Sequence, residues 1–171
     1  MKKYILFLML LMAWCLGAQA QRYALIDMEY ILGNIPAYER ANNQLSQDSK
    51  TWQAAVDKVT EEAKKLYKAY QSHVSTLNEP QRAAEEEKIV AKEKEAAELR
   101  RQYFGPEGEF YKKRESLLSP INDEIYESVK EIANQRGYVM VIDRASAQSI
   151  IYASPTIDIS NEVLNKLGYS N

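Results

Sequence analysis

Leu45 to Leu77 reads LSQDSKTWQAAVDKVTEEAKKLYKAYQSHVSTL. Within it Leu45, Trp52, Val56, Val59, Ala63, Leu66, Tyr70 and Leu77 recur at spacings of three, four and seven, the rhythm of one helix face packed along a coiled-coil seam. Charged and polar residues fill most of the positions between. The segment is therefore expected to be a long helix whose apolar stripe needs a second helix to cover it.

The second helix follows at once. Asn78-Glu79-Pro80-Gln81 places a capping Asn, a Pro tolerated in the first helical turn and a Gln three residues after the Asn, which together mark a helix-to-helix turn near 78–80. Beyond it the doublets Ile89-Val90, Ala96-Ala97, Tyr103-Phe104, Phe110-Tyr111 and Leu117-Leu118 repeat every seven residues. One member of each doublet is expected to fill the seam while its neighbour faces sideways. Gly105, Pro106 and Gly108 in Gly105-Pro106-Glu107-Gly108 should interrupt the helix, since Pro lacks a donor and Gly weakens a helical turn. Tyr103 and Phe110 nevertheless stay one heptad apart, so a kink at 105–108 within one arm is favoured over a domain boundary. The expected hairpin spans 37–119 between Pro36 and Pro120; each arm of about 40 residues is roughly 60 Å long at about 1.5 Å per residue.

The flanks read differently. Tyr23-Ala24-Leu25-Ile26, ending at Asp27, is a short strand. After Pro120 a helix resumes with Ile121, Ile125, Val129 and Ile132 on one stripe and ends near Arg136-Gly137. Tyr138-Val139-Met140-Val141-Ile142 reads as a buried strand, 143–147 as a turn, Ser149-Ile150-Ile151-Tyr152 as another strand, and Ser160 as the cap of a last helix stopping at Gly168. The expected fold is α+β: a small β-body of three short strands drawn from 21–36 and 120–171, carrying a long helical-hairpin coiled-coil tentacle. Three short strands cannot close a core alone, so the base should oligomerise.

Residues 1–20 read as a secretory signal peptide: Lys2 and Lys3, an apolar run from Tyr4 to Leu16, then Ala18-Gln19-Ala20. The one cysteine, Cys15, is preceded by Trp14, unlike a lipoprotein site, and is expected to be discarded. The exported chain then has no disulfide framework and no thiolate metal site. The formal net charge of −2 becomes more negative once Lys2 and Lys3 are lost, which argues against nucleic acid and against attraction to anionic lipid. No later run is apolar enough to span a bilayer, so a soluble protein outside the inner membrane is expected. Twelve tyrosines against three phenylalanines suit half-buried seams and interfaces.

Catalytic chemistry finds little support. His73 is the one histidine and lies on the seam; with no second His and no cysteine it anchors neither a typical zinc site nor a Ser-His-Asp triad, so a packing role is expected. Asp27 and Asp143 each follow an apolar strand and read as turn formers or caps. Glu85-Glu86-Glu87 reads as a solvated helix face. Gly105 and Gly108 follow a helix rather than a strand, which excludes a phosphate loop. Neither a cofactor nor an enzymatic activity is expected.

The signal peptide, the strand ending in Asp27, the charged hairpin and the terminal segments Tyr138 to Asp143, Ile150 to Tyr152 and Asp158-Ile159-Ser160 to Leu164 resemble the Skp/OmpH family over essentially the whole mature chain. The interruption at 105–108 looks like a feature of the Bacteroidetes branch. The resemblance implies a homotrimer with a central β-body and three tentacles around a cavity. It also implies a periplasmic, ATP-independent holdase that keeps unfolded outer-membrane β-barrel proteins from aggregating until they reach the outer-membrane assembly machinery. Leu25, Ile26, Val139, Val141, Ile142, Ile150, Ile151 and Tyr152 would then form the trimer body. Well-known relatives are strongly basic, whereas this chain is acidic, so no lipopolysaccharide site is carried over. Many weak contacts at high effective concentration would give tight, reversible capture, with Tyr67, Val90, Phe104 and Tyr111 as candidate client contacts. Doublet aromatics packing against the opposite arm are the structural alternative, with Trp52 as a plug in the gap opened at Pro106. The functional alternative is a coiled-coil adaptor of the envelope that holds no clients.

Overall fold

The computed structural model describes residues 22–147 and 149–169, so the signal-peptide reading of residues 1–20 lies outside the described residues. Strand β1 (Arg22–Ile26) leads into helix α1 (Met28–Gly33); α2 (Pro36–His73), a 3-10 turn at Val74–Thr76, α3 (Glu79–Phe104) and α4 (Glu109–Arg136) follow; strand β2 (Tyr138–Asp143), a second 3-10 turn at Pro155–Ile157 and helix α5 (Ser160–Lys166) complete the chain. The fold is mostly helical, with a long helical hairpin and a small two-stranded parallel sheet. Two compact units divide it, one spanning Ile35–Asp123, the other formed by the residues before and after that span.

Within the first unit, Pro36 stands in the opening turn of α2, where its missing donor costs nothing. Leu45, Val56, Val59 and Ala63 are buried on one stripe of α2, and Ile89 is buried from α3. Asn78 caps α3 reciprocally: its side chain accepts from the Gln81 amide at 3.0 Å, and the Gln81 side chain accepts from the Asn78 amide at 3.1 Å.

The chain breaks between α3 and α4 for identifiable reasons. Gly105 takes an extended conformation, ψ 171°, as the residue before a proline must. Its amide still donates to the Arg101 carbonyl at 2.9 Å, and Gly108 donates to Gly105 at 2.9 Å. A side chain at Gly108 would lie 2.7 Å from the Tyr103 carbonyl oxygen and 2.8 Å from that of Gln102. Only glycine lets the next helix start so close to the end of the previous one. By contrast Pro120 sits inside α4 without ending it.

In the second unit β1 and β2 pair in parallel, Leu25 opposite Ile142 and Ile26 opposite Asp143, with an irregularity between Arg22 and Tyr23. Parallel neighbours need a crossover, and here it is the whole stretch from α1 to α4. Ala24, Leu25, Ile26, Ile31, Ile125, Ile132, Ile159, Val163 and Leu164 form the core. Helix α4 stops at Gly137, which adopts φ +68°.

Two expectations change here. Ser149-Ile150-Ile151-Tyr152 forms no strand within the chain; Ile150 instead donates to the Ala147 carbonyl in a turn at 3.2 Å. The free edge of β1 is taken by Asp158, which bridges Leu25, and the Ile159 amide donates to the Leu25 carbonyl at 2.9 Å. Apolar composition favours a strand, but only a neighbour with unpaired backbone groups makes one. Ser160, expected as a cap, is the first residue of α5. Its hydroxyl donates to Asp158 Oδ1 at 2.6 Å and accepts from the Asp27 amide at 2.8 Å, stitching α5 to the end of β1. Helix α1 was absent from the sequence reading altogether.

Candidate functional site

In the hairpin unit the seam and the outward face separate at some of the doublets, whereas Leu117 and Leu118 are both half-buried. Ile89 is buried while Val90 is 45% exposed; Phe110 is half-buried while Tyr111 is 51% exposed. Tyr67 is 48% exposed, and its neighbour Leu66, expected on the seam, is itself 38% exposed. Tyr67 borders an open groove of about 360 Å³ whose sides include Thr60, Ala63, Ala96 and Ala97, where small side chains leave the two helices without interdigitating bulk. Tyr111 and Leu118 border a second groove of about 360 Å³ along α4.

Phe104 lies elsewhere. It is half-buried in an aromatic cluster, edge-on to Trp52 at 6.5 Å and 6.2 Å from Phe110, while Tyr103 stacks on Trp52. At this doublet both members pack against Trp52, immediately before the Gly105-to-Gly108 break. Three of the four candidate client contacts, Tyr67, Val90 and Tyr111, are outward-facing; the fourth is part of the packing. Gly105, Pro106 and Gly108 sit together at the break, beside Arg101, Gln102 and Lys112.

Charge fastens the two arms. Lys92 on α3 reaches Glu62 on α2 at 3.1 Å, and its hydrogen bond holds the Glu62 carboxyl below the usual carboxylate range. Lys113 on α4 meets Asp48 on α2 at 3.5 Å. Near the tip the Tyr70 hydroxyl donates to Glu86, and His73 pairs with Glu85 at 3.0 Å. His73, expected to pack in the seam, is thus a polar cross-arm contact. Exposed pairs of this kind each add little stability; they set which residues of the arms face each other.

In the other unit the candidate body residues divide into two groups. Leu25 and Ile26 are buried within the chain, and Val141, Ile142 and Ile150 are half-buried. Tyr138 to Ile142, expected as a buried strand, has no buried residue in the single chain, and Val139 and Met140 are exposed on β2. Tyr152 is 84% exposed, and Ile151 is fully exposed. One outer edge of the two-stranded sheet belongs to β2. These are among the apolar side chains the single chain leaves in water, with Tyr126 at 64% another.

Beside that sheet lies a polar knot. Arg144 donates from Nε to Asp27 Oδ2 at 3.0 Å and reaches Asp158 at 3.5 Å. Asp27 Oδ1 accepts from the Tyr30 amide at 2.9 Å as the cap of α1, and Asp143 Oδ1 accepts from the amides of Met28 and Ala145. The Tyr30 amide first, then Arg144, holds the Asp27 carboxyl below its ordinary range. Both strand-end aspartates are caps and turn formers, occupied by backbone donors. Among the described residues no group of His, Cys, Asp and Glu is disposed to hold a metal ion, and no helix is long and apolar enough to cross a membrane.

Comparison with known proteins gives a consistent picture. Residues 22–167 match the family model described as outer membrane protein (OmpH-like). The chain is 24% identical over 157 residues to the chaperone protein Skp of Photorhabdus laumondii, with 91% of this chain and 92% of the relative covered. It is equally 24% identical over 166 residues to the Skp of Photorhabdus luminescens. An OmpH-like protein from Caulobacter crescentus CB15 has a solved structure that covers 88% of this chain and 86% of its own at TM-score 0.65 and 14% identity, a likeness of fold.

Proposed function

This chain belongs to the OmpH-like outer membrane protein family, and from that premise we propose that it is a periplasmic chaperone for outer-membrane β-barrel proteins, acting as an ATP-independent holdase. Unfolded β-barrel chains expose alternating apolar residues that aggregate unless covered. The observation that carries the reading is the exposure of Tyr67, Val90 and Tyr111 on arms whose seam is already filled by Val56, Val59, Ala63 and Ile89. Such side chains offer several weak contacts rather than one pocket, and linked weak contacts give capture that remains reversible.

The holdase works as a homotrimer. Its support is the exposed apolar set at the base: Val139, Met140, Ile151 and Tyr152 lack cover in one chain, and a two-stranded sheet is marginal by itself. A segment such as Ile150 to Tyr152 gains ladder hydrogen bonds when another copy supplies a strand edge. The arms of three copies then bound a cavity, clients enter it without a nucleotide cycle, and release is to the outer-membrane assembly machinery.

The test is native mass spectrometry of the mature chain, alone and after rapid dilution of a urea-unfolded outer-membrane β-barrel protein into it. A trimer that gains one client is expected. An oligomer of another order that takes up no client and leaves aggregation unchanged would replace this reading with that of a coiled-coil adaptor of the envelope.

A further inference from the structure

His73 is the last residue of α2, at the tip of the hairpin, and is the one histidine of the chain. Its ring touches two partners. Nδ1 lies 2.5 Å from the carbonyl oxygen of Ala69 on its own helix, and Nε2 lies 3.1 and 3.0 Å from the two carboxylate oxygens of Glu85 on α3. A carbonyl oxygen only accepts a hydrogen bond, and so does an ionised carboxylate. A neutral imidazole carries one N–H, so either tautomer would set a lone pair against an oxygen on one side. The geometry is that of an imidazolium donating from both nitrogens.

We propose that the hairpin tip carries a protonation-controlled clasp, in which the His73 imidazolium ties the last turn of α2 to the second turn of α3 through Glu85 and releases it on losing a proton.

The surroundings favour the charged ring. On α3 the other ionisable groups near the tip are Glu79, Arg82, Glu86, Glu87 and Lys88. Arg82 pairs with Glu79 at 3.4 Å, and Glu86 accepts from the Tyr70 hydroxyl of α2. The 3-10 turn Val74–Thr76 contributes no ionisable side chain. Lys68 on α2 lies more than one helical turn back, and Lys64 is paired with Glu61. The Glu85 hydrogen bond first, then the Ala69 carbonyl, raises the His73 pKa above its ordinary 6.5. A group raised on folding stabilises fully below its unfolded value, and that contribution disappears as pH climbs through the folded one. The clasp is closed below the ordinary histidine value and opens as pH climbs through the raised folded one. The Asn78–Gln81 cap contains no titrating group and stays formed, so opening is confined to the end of α2 and its turn. This device is independent of the chaperone reading.

The experiment is a long-range proton–nitrogen NMR titration of the mature chain labelled with nitrogen-15 at histidine, from about pH 5 to about pH 9, where imidazole changes charge. One histidine gives one assignable pair of nitrogens. Amide hydrogen exchange over residues 70–86 is measured across the same range, corrected for intrinsic exchange, with Trp52 fluorescence as the check that the hairpin remains folded. The expected result is a midpoint above 6.5, both nitrogens protonated below it, and tip exchange accelerating severalfold as the ring deprotonates. Glu85→Gln should move the midpoint back toward the ordinary value, and His73→Gln should give fast tip exchange at every pH. A wild-type midpoint at or below 6.5, a midpoint unmoved by Glu85→Gln, or tip exchange indifferent to the state of the ring would each overturn the proposal.

Discussion

The Trp52 indole lies nearly parallel to the Tyr103 ring, 5.7 Å between centroids and 12° between planes. This stack joins the middle of α2 to the end of α3 where helix geometry gives out at Gly105. Phe104 and Phe110 extend it across the break, so the interruption is bridged by aromatic packing.

Removing the indole should therefore weaken the hairpin unit. Trp52→Ala is expected to cost about 2–4 kcal/mol, at the lower part of the range for aromatic truncation because the ring is only half-buried. Urea unfolding followed by circular dichroism measures it. Trp52→Phe should retain more than half of the lost stability, and equal losses for the two variants would mean that ring size does not matter here.

The break itself has a sharper requirement. Gly108→Ala places a carbon within 2.8 Å of two carbonyl oxygens and should cost about 1–3 kcal/mol through backbone displacement. Gly33→Ala, which meets nothing within 4 Å at the end of α1, is the control and should be neutral or stabilising by up to about 1 kcal/mol. Thermal unfolding of the two variants side by side decides whether the close approach is real.

Asp27 makes an acid-side prediction. Its carboxyl is held below its ordinary 3.8 by the Tyr30 amide and Arg144. A lowered pKa contributes stability that is present above the unfolded value and is lost as pH falls through the folded one. Asp27→Ala should cost about 1 kcal/mol, the worth of an N-cap, at neutral pH. The gap from wild type should close below about pH 4, where the unfolded carboxyl takes its proton. A gap that stays constant into strong acid would show that the charge of Asp27 contributes nothing.

On the arms, capture and packing should come apart by residue. The triple variant Tyr67→Ser, Val90→Gln, Tyr111→Ser is expected to keep its unfolding midpoint while losing about tenfold or more in client holding, the scale set by removing linked weak contacts. Light scattering of a diluted β-barrel protein reads the second effect. Phe104→Ala should do the reverse, costing about 2 kcal/mol of stability with holding per folded molecule unchanged. Full holding by the triple variant would remove these residues from the client surface.

At the base, Ile151→Asp with Tyr152→Ser changes side chains that the single chain leaves in water. The chain should fold as before by circular dichroism and yet appear as a monomer in native mass spectrometry, because a charge cannot be buried cheaply in a subunit contact. An oligomer of unchanged order would place the assembly surface elsewhere.

Much of this architecture is local and could be read from residues alone. The three-four-seven rhythm from Leu45 to Leu77, Pro36 at a helix start and the reciprocal Asn78 and Gln81 cap depend on neighbours within a few positions, so the chemistry that makes them is contained in the segment. The split of Ile89 from Val90 and of Phe110 from Tyr111 follows from the same period. Helix α1 escaped notice because six residues are too few to display a period, and its start signal, Asp27, also reads as the end of a strand.

Other features turn on what lies opposite. Ile150 to Tyr152 has strand composition, yet Asp158 occupies the edge of β1, since a ladder forms only where another backbone presents free groups. Phe104 has the same seven-residue spacing as Val90, but at the break it packs inward against Trp52 and Phe110. His73 sits at a seam position, and only the length of the 74–78 turn and the rotation of α3 bring Glu85 to its Nε2. The sequence by itself determined where the long helices α2 and α3 run and start, through hydrogen bonds and periods closed within one element. The tertiary structure alone decided which side chains meet across elements, because that depends on turn length, helix rotation and competition for a limited number of edges and gaps.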